Sequence, residues 1–295
     1  MPWIQLTLPA ADIDPQALAD NFAALGALSV TLQDAADQPL FEPPPGATPL
    51  WSQVQVTALF DADANVAGVQ RAIAERFGAD CAERLRIETL DDRDWVRAWM
   101  DGYAPMRFGA RLWIVPTGFE APDPQGVNLL LDPGLAFGTG THPTTALCLE
   151  WLDAHPPVDQ VIIDYGCGSG ILGIAALKLG ARQVWAVDND PQALVATLDN
   201  AQRNGVAAGV NAVLPGQLPE VRADLLLANI LANPLIELAP RFAALIGPGG
   251  GLVLSGVLAA QAEHVAAAYR GAFEIMPAVQ REDWVRLEGA RLPRS

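Results

Sequence analysis

The sequence predicts an α/β protein, with a doubly wound parallel sheet ending in an antiparallel hairpin and a smaller α+β domain before it. Three observations predict this fold class. Apolar runs alternate with helical segments through the last two thirds of the chain, which is typical of repeated β-α units. The first third follows the order β-α-β-β-α-β instead. With 295 residues, 51% of them hydrophobic, the chain can bury two cores.

The amino-terminal strands are predicted from alternating polar and apolar residues, and the helices from residues that typically begin or end a helix. Polar and apolar residues alternate in the strands, Pro15 opens the first helix, and Gly26 and Gly78 follow the two helices. The order of these elements is that of ferredoxin-like domains, in which two helices cover one face of an antiparallel sheet. We predict strands at 3–8, 28–32, 51–56 and 85–87, helices at 16–25 and 65–77, and a proline-rich turn at 43–46.

A charged helical segment at 91–103 then precedes the change of pattern. We predict a ferredoxin-like domain at 1–88, a linker helix at 89–104 and the larger α/β domain at 105–295. The larger domain is predicted to contain strands at 111–115, 127–131, 161–163, 184–187, 212–214, 224–228 and 251–255, helices at 144–153, 171–179, 191–204, 234–245 and 259–269, and a final hairpin at 273–276 and 284–287.

Composition excludes several classes of function. The net charge is −16, and residues 1–101 hold 16 Asp and Glu against 6 Arg. Because binding to nucleic acid needs basic patches, a nucleic-acid substrate is disfavoured. An acidic first third suits a basic protein partner, although acidic surfaces also aid solubility.

The few cysteines and histidines argue against disulfides and metals. The 3 Cys are far apart, and the 3 His have no metal-ligand spacing. No apolar run approaches the roughly 20 residues of a membrane helix, and no signal peptide is visible. We therefore expect a cytoplasmic protein without a metal or a membrane segment.

A glycine loop is the most informative motif of the larger domain. The buried strand at 161–163 leads into Asp164-Tyr165-Gly166-Cys167-Gly168-Ser169-Gly170, and a helix follows. Glycines here permit a tight turn and a close approach of a ligand to the backbone. Asp188 ends the next strand, where it can accept hydrogen bonds from both ribose hydroxyls of a nucleoside.

The glycine spacing alone fits two kinds of cofactor. Residues 168–173 match the dinucleotide pattern G-x-G-x-x-G. Residues 164–170 match the D-x-G-x-G-x-G loop of S-adenosylmethionine methyltransferases. The acidic Asp164 favours the methyl donor, because the amino-acid end of that donor is cationic and carries no pyrophosphate.

Two further segments carry polar residues at the same predicted sheet edge. The loop at 132–145 is rich in glycine and threonine, and its His142 is interpreted as a loop residue held by hydrogen bonds. Asn229 ends a buried strand, where an unused amide is costly. Because Asn233 before Pro234 is predicted to cap the next helix, Asn229 is left for another role.

Together these segments closely resemble ribosomal protein methyltransferases of PrmA type, which modify the large-subunit stalk-base protein numbered eleven. The resemblance spans the whole chain, and the run D-P-G-L-A-F-G-T-G-T-H-P-T-T at 132–145 is highly specific to that family. It implies a class I methyltransferase fold, S-adenosylmethionine as methyl donor, and no metal. It also implies trimethylation of lysine side chains and of the α-amino group of the ribosomal protein.

The resemblance also assigns roles residue by residue. Gly166 and Gly168 would line the amino-acid and ribose region of the donor, and Asp188 would bind the ribose hydroxyls. Thr145 would contact the donor from the upstream loop. Asn229 would lie beside the transferring methyl group, with a positioning role and no acid–base role. The amino-terminal domain would bind the basic substrate protein.

Three alternatives stay open at this point. An NAD(P)-dependent oxidoreductase would use the G-x-G-x-x-G match, but no catalytic Tyr/Lys or His/Asp set follows it. A noncatalytic binding module would retain the sheet without its chemistry. A methyltransferase acting on another protein or on a small molecule is the most serious rival.

Overall fold

The computed structural model describes residues 2–36, 50–90, 104–132 and 142–293. The chain divides into two compact units, Met1–Asp101 and Gly102–Ser295. The predicted proline-rich turn, the linker helix from residue 91 onward and positions 133–141 of the glycine- and threonine-rich loop lie outside the described residues. The predicted domain boundaries at 88 and 104 therefore stay predictions.

The amino-terminal unit has the ferredoxin-like order that the sequence predicts. Its sheet runs β2-β3-β1-β4, and every neighbouring pair is antiparallel. Asp14 accepts from Gln16 N and Ala17 N at the start of the first helix, and Asn65 caps the second. The elements are β1 (Trp3–Pro9), α1 (Pro15–Ala24), β2 (Ser29–Asp34), β3 (Val54–Asp61), α2 (Val66–Phe77), α3 (Ala79–Glu83) and β4 (Arg86–Leu90).

The core of this unit follows from strand alternation. Every second residue of β3, from Val54 to Phe60, is buried, and the residues between them are more exposed. Phe22 from α1 packs edge-on to Phe60 with ring centroids 6.3 Å apart. One face of the sheet thus packs on the helices and the other stays polar.

The carboxy-terminal unit begins with a three-stranded sheet and continues with an eight-stranded one. The larger sheet has the order β10-β9-β8-β11-β12-β15-β13, with β14 paired to β15. The strands are β5 (Met106–Phe108), β6 (Leu112–Val115), β7 (Val127–Leu130), β8 (Val161–Tyr165), β9 (Gln183–Val187), β10 (Val210–Val213), β11 (Ala223–Asn229), β12 (Ile246–Leu258), β13 (Phe273–Ile275), β14 (Val279–Arg281) and β15 (Trp284–Arg291).

Helices connect the parallel strands of the larger sheet. Strands β8 to β12 pair in parallel, and β15 adds an antiparallel edge, as the sequence predicts. The order reverses between β8 and β11, which is where open α/β sheets bind ligands. The helices are α4 (Pro143–Ala154), α5 (Ile171–Lys178), α6 (Pro191–Arg203), α7 (Ala232–Leu245) and α8 (Ala262–Tyr269).

Some sequence predictions are wrong in detail. Strand β3 lies later than the predicted 51–56, and the sequence did not predict β5, β14 or α3. The predicted cap Asn233 is also wrong, because α7 begins at Ala232 and Leu231 occupies the capping position. Pro234 is then the third helical residue, where its missing N–H costs no helical hydrogen bond. No helix in the described ranges is long and apolar enough to cross a membrane.

Candidate functional site

A cavity of about 500 Å³ opens at the carboxyl ends of β8, β9 and β11. The strand order makes these ends neighbours, although the residues are far apart in sequence. Its lining combines carboxylates, amides and glycines with an aromatic wall: His142, Thr144, Thr145, Asp164, Gly166, Cys167, Gly168, Ile171, Leu172, Asp188, Asn189, Asn229, Ile230, Leu231, Gly256 and Trp284.

The glycine loop turns sharply after β8 and hydrogen-bonds to the next strand. The N–H groups of Gly166 and Cys167 both donate to Val187 O, over 2.7 and 3.1 Å. Gly166 has φ +77, and a Cβ there would lie 2.2 Å from Ile230 Cγ2. This position therefore requires glycine on two independent grounds, backbone conformation and space.

Helix α6 supports the loop from outside. Thr197 Oγ1 donates to Gly168 O over 3.1 Å, and Asn200 Nδ2 donates to Ser169 O over 2.9 Å. Both helix residues satisfy loop carbonyls that form no strand hydrogen bonds. These two hydrogen bonds attach the loop to α6.

Asp188 follows β9 and is fixed by two backbone donors. Gly168 N donates to its Oδ2 and Asp190 N to its Oδ1, each over 3.0 Å. A carboxylate has about four acceptor positions, so this one can accept two further hydrogen bonds from a ligand in the cavity. That capacity matches the paired hydroxyls of a ribose.

Asp164 lies at the base of the same cavity and is nearly inaccessible to solvent. Its Oδ2 accepts from Gly173 N over 2.8 Å. Burial raises the pKa of Asp164 to about 7, a shift that the Gly173 hydrogen bond opposes and the charge of Asp188 increases. A cationic group bound at this end of the cavity would favour the ionised form of Asp164 and lower its pKa.

Asn229 and Thr145 form the opposite side of the cavity. Asn229 ends β11, and its Nδ2 donates to Thr145 Oγ1 over 3.2 Å. Thr145 lies in the first turn of α4 and is fully buried. Because the Nδ2 atom already has a partner in Thr145, the Oδ1 atom of Asn229 is its acceptor for a ligand N–H.

His142 caps α4, consistent with the interpretation of it as a loop residue held by hydrogen bonds. Its Nδ1 accepts from Thr144 N over 3.3 Å and lies 2.7 Å from Thr144 Oγ1. Burial lowers the pKa of His142, and the charge of Glu282 opposes this shift only partly. The imidazole is therefore neutral at pH 7.

Trp284 and Gly256 are among the lining residues that were not assigned to the site from the sequence. Trp284 contacts His142 edge-on, with ring centroids 4.8 Å apart. Gly256 has φ +82, and a Cβ there would lie 2.4 Å from Ile230 O. Both lie beside a β-bulge in β12, which a single sequence does not reveal.

The structure brings together all five residues that the sequence predicts for donor binding. Thr145, Gly166, Gly168, Asp188 and Asn229 line one cavity, although they come from four separate loops or element ends spanning 85 positions of the sequence. Within the described part of the chain, no group of three or more His, Cys, Asp or Glu could hold a metal ion.

Comparison with known proteins gives matches over nearly the whole chain. A family model described as "Ribosomal protein L11 methyltransferase (PrmA)" matches residues 2–292. A protein of that name from Marinobacter nauticus is 56% identical over 295 residues, covering 99% of each chain. One from Azotobacter vinelandii is 53% identical over 292 residues, covering 99% of this chain and 100% of the relative.

A solved structure shows the same similarity at lower identity. It is the crystal structure of a ribosomal protein L11 methylase from Lactobacillus delbrueckii subsp. bulgaricus, with a TM-score of 0.60 and 30% sequence identity. The match covers 65% of this chain and 100% of that one.

Proposed function

This chain belongs to the ribosomal protein L11 methyltransferase family, and on that premise we propose that it methylates amino groups of ribosomal protein L11. The reaction uses S-adenosylmethionine, as the methyltransferase fold and the family both indicate. The whole-chain family match is the observation that carries the proposal. It decides against the oxidoreductase alternative that the glycine spacing left open.

The cavity fits the methyl donor by the chemistry of its walls. When bound, S-adenosylmethionine supplies a methyl group on a positively charged sulfur that leaves as a neutral thioether. The carboxylate of Asp188 is fixed with acceptor capacity for the ribose hydroxyls. The glycine at position 166 lets the loop backbone lie against Ile230, where a Cβ would collide with its side chain. The cationic amino-acid end of the donor, if it lies beside Asp164, would favour the ionised form of this buried carboxyl group.

The residues of the chain contribute mainly positioning. A neutral acceptor amine must present its lone pair in line with the methyl group, and correct placement alone accounts for a large part of such rate enhancements. Asn229 Oδ1 is placed to accept an N–H of that amine, while Thr145 fixes the amide orientation. No side chain acts as a general base in this proposal, so the proton of the acceptor ammonium passes to solvent.

The finer assignments rest on the family resemblance. We propose that lysine side chains and the α-amino group of L11 are trimethylated, and that the acidic unit at 1–88 binds this basic protein of the ribosomal stalk base. Opposite charge would speed their encounter. Since ribosomal proteins are made and assembled in the cytoplasm, we propose that location for the enzyme.

Mass spectrometry of L11 tests the proposed function. Incubation with enzyme and S-adenosylmethionine should add mass in steps of one methyl group. Asp188→Ala should abolish these steps and donor binding, whereas Asp199→Ala, an exposed carboxylate on α6, should leave both intact. Unchanged L11 with normal donor binding would exclude L11 and favour another substrate.

The role of Asn229 is tested separately. Asn229→Ala should keep donor affinity within about threefold, because it does not touch the fixed Asp188 carboxylate, and should lower turnover about 100-fold through misplacement of the amine. Asn233→Ala, an exposed asparagine in the first turn of α7, is the matched control. Full turnover of Asn229→Ala with L11 would contradict the positioning role.

A further inference from the structure

Trp284 lines the cavity but has no role in the function proposed above. It is the first residue of β15, and its ring contacts His142, the cap of α4. Trp284 is the largest aromatic side chain among the described lining residues. An indole at this position is an electron-rich aromatic wall in a cavity whose other lining side chains are aliphatic or carry carboxylates, amides and hydroxyls.

Strand alternation and the bulge in β12 explain why Trp284 faces this way. Leu254 pairs with Leu287 and Val257 pairs with Val285, so two residues of β12 oppose one residue of β15. Val285 and Leu287 point into the core, where both are almost fully buried. Trp284 belongs to the other face of the strand.

That other face is attached to α4 along its length. Trp284 packs on His142, Arg286 Nη1 donates to Leu147 O over 3.1 Å, and Glu288 accepts from Trp151 Nε1. These contacts hold the indole against the first turn of the helix. Trp284 is therefore a rigid part of the cavity wall.

The strand order separates two sides of the cavity. Strands β8 and β9 lie on one side of β11 and carry the glycine loop and Asp188. Strands β12 and β15 lie on the other side and carry Gly256 and Trp284. Asn229, at the end of β11, lies between them. Since the Asp188 side fits the methyl donor, the Trp284 side is left for the acceptor amine.

The chemistry of successive methylation needs more than Asn229 on that side. A neutral primary amine has two N–H groups, a monomethylated one has one, and a dimethylated one has none. Asn229 Oδ1 can therefore orient the first two acceptors but has no hydrogen to accept from the third. Each methyl group makes the nitrogen more apolar, and between transfers the methylated amine is protonated and cationic.

We propose that Trp284 is the specificity-determining residue for the last methyl transfer, where its ring binds the methyl groups of the dimethylated acceptor nitrogen. This inference rests on the proposed function of amine methylation. Tryptophan is the aromatic side chain that best attracts a cation, and methylated ammonium groups are the common ligands of such rings. In the third transfer the nitrogen lone pair forms the new N–C bond as the C–S bond breaks, with its electron pair leaving on sulfur. No proton is released in this step, because the acceptor has already lost its proton to solvent and the product is a trimethylammonium cation.

Time-resolved mass spectrometry of unmethylated L11 tests this inference, because it gives a rate constant for each methyl addition. Trp284→Leu should lower the ratio of the third to the first rate constant about tenfold, and Trp284→Phe, which keeps an aromatic ring, about threefold or less. Asn229→Ala should do the reverse and slow the first two additions most. Binding of S-adenosylhomocysteine, measured by calorimetry, should be unchanged in both Trp284 variants.

The matched control separates this role from a structural one. Glu288→Gln weakens the hydrogen bond from Trp151 on α4 to β15 but leaves the Trp284 ring in the cavity wall. A purely structural disturbance of this kind should slow all three methyl additions equally. An equal slowing of the three additions by Trp284→Leu, or a parallel loss of S-adenosylhomocysteine affinity, would overturn the proposal.

A measurement on the unaltered enzyme covers the case in which Trp284→Leu does not fold. A trimethyllysine peptide should inhibit at least about fivefold more strongly than the same peptide with a neutral carbon isostere, and equal inhibition would overturn the proposal. The proposed function fails independently if the wild-type enzyme leaves the mass of L11 unchanged. If the wild-type enzyme trimethylates L11 and the Trp284 variants keep the same rate ratios, only the inference about Trp284 fails.

Discussion

The two units differ in where they place buried polar side chains. In the described part of the amino-terminal unit, Asn21 is the only buried polar residue, and hydrogen-bonding side chains such as Gln33 and Thr57 lie on the exposed sheet face. The carboxy-terminal unit buries several more, and three of them, Thr144, Thr145 and Asp164, line the cavity. Part of the cost of burying polar groups in this unit thus falls at the candidate site.

The two sheets place their polar residues differently. In the antiparallel sheet, apolar and polar residues alternate along each strand, so the apolar ones fill the core and the polar ones form the exposed face. In the parallel sheet, both faces are covered, so polar groups at the strand ends must be held by backbone donors or helices. Changes of the same chemical kind in the two units should therefore have different effects.

The largest effect is expected at Asp164. Its pKa of about 7 lies above the unfolded value of 3.8. Its contribution to the free energy of unfolding is therefore fully present below about pH 4 and is lost as the pH rises through 7. Asp164→Asn keeps an acceptor for Gly173 N and removes the buried charge.

The stability advantage of Asp164→Asn over the wild type should accordingly grow between pH 4 and 7 and then level off. Urea denaturation at a series of pH values measures it, and Asp20→Asn, on the exposed face of α1, should show no such trend. A pH-independent difference at Asp164 would contradict the raised pKa.

A smaller effect is expected from replacing one positive-φ glycine in each unit by alanine. Gly166 and Gly26 both have positive φ, but a Cβ would contact Ile230 at the first and nothing within 4 Å at the second. Gly166→Ala should weaken donor binding about 10- to 100-fold, since strain and overpacking each cost about 1–3 kcal/mol. Gly26→Ala should lower stability by about 1 kcal/mol and leave donor affinity unchanged. Equal donor affinities in calorimetry would show that the Ile230 contact is unimportant.

The smallest effect is expected from replacing one hydrogen-bonding threonine in each unit by valine. Thr197→Val removes the hydrogen bond to Gly168 O and should cost about 1 kcal/mol of stability and a few-fold in donor affinity. Thr57→Val, whose hydroxyl donates to the exposed Gln33, should change stability by less than about 0.5 kcal/mol. Thermal unfolding and calorimetry measure both. Similar losses at the two positions would remove the distinction between the units.

Local patterns predicted most of the fold. Continuous apolar runs identified the parallel strands, and Pro15, Asn65 and Pro191 marked helix starts that the structure confirms. The three-residue strands β5 and β14 were missed because they are defined by pairing with β6 and β15 and have no periodicity of their own. The long β12 was predicted only in part, because glycines dominate its first half.

The sequence singled out only part of the residues that line the cavity. Gly166 and Asp188 belong to a motif with fixed spacing, so a single sequence reveals them. Trp284 reaches the cavity through the pairing of β15 with β12 and contacts His142 from 142 positions away. No local pattern contains that information. The prediction that Asn233 caps α7 was wrong for a related reason. The helix begins at Ala232, directly after the short connection from the end of β11, and no local pattern shows that start.

Ile230 lies between two glycines that reach it from different strands. A Cβ at Gly166 would meet its side chain, and a Cβ at Gly256 would meet its backbone. In evolutionary terms the three positions form an epistatic set: a smaller residue at 230 relieves the contact of a Cβ at 166 but not the contact at 256, and the positive φ of both glycines remains. Homologous chains should therefore keep glycine at position 256 whatever stands at 230. A larger residue at 166 should be found only where residue 230 is smaller, and it should be one that adopts positive φ, such as asparagine.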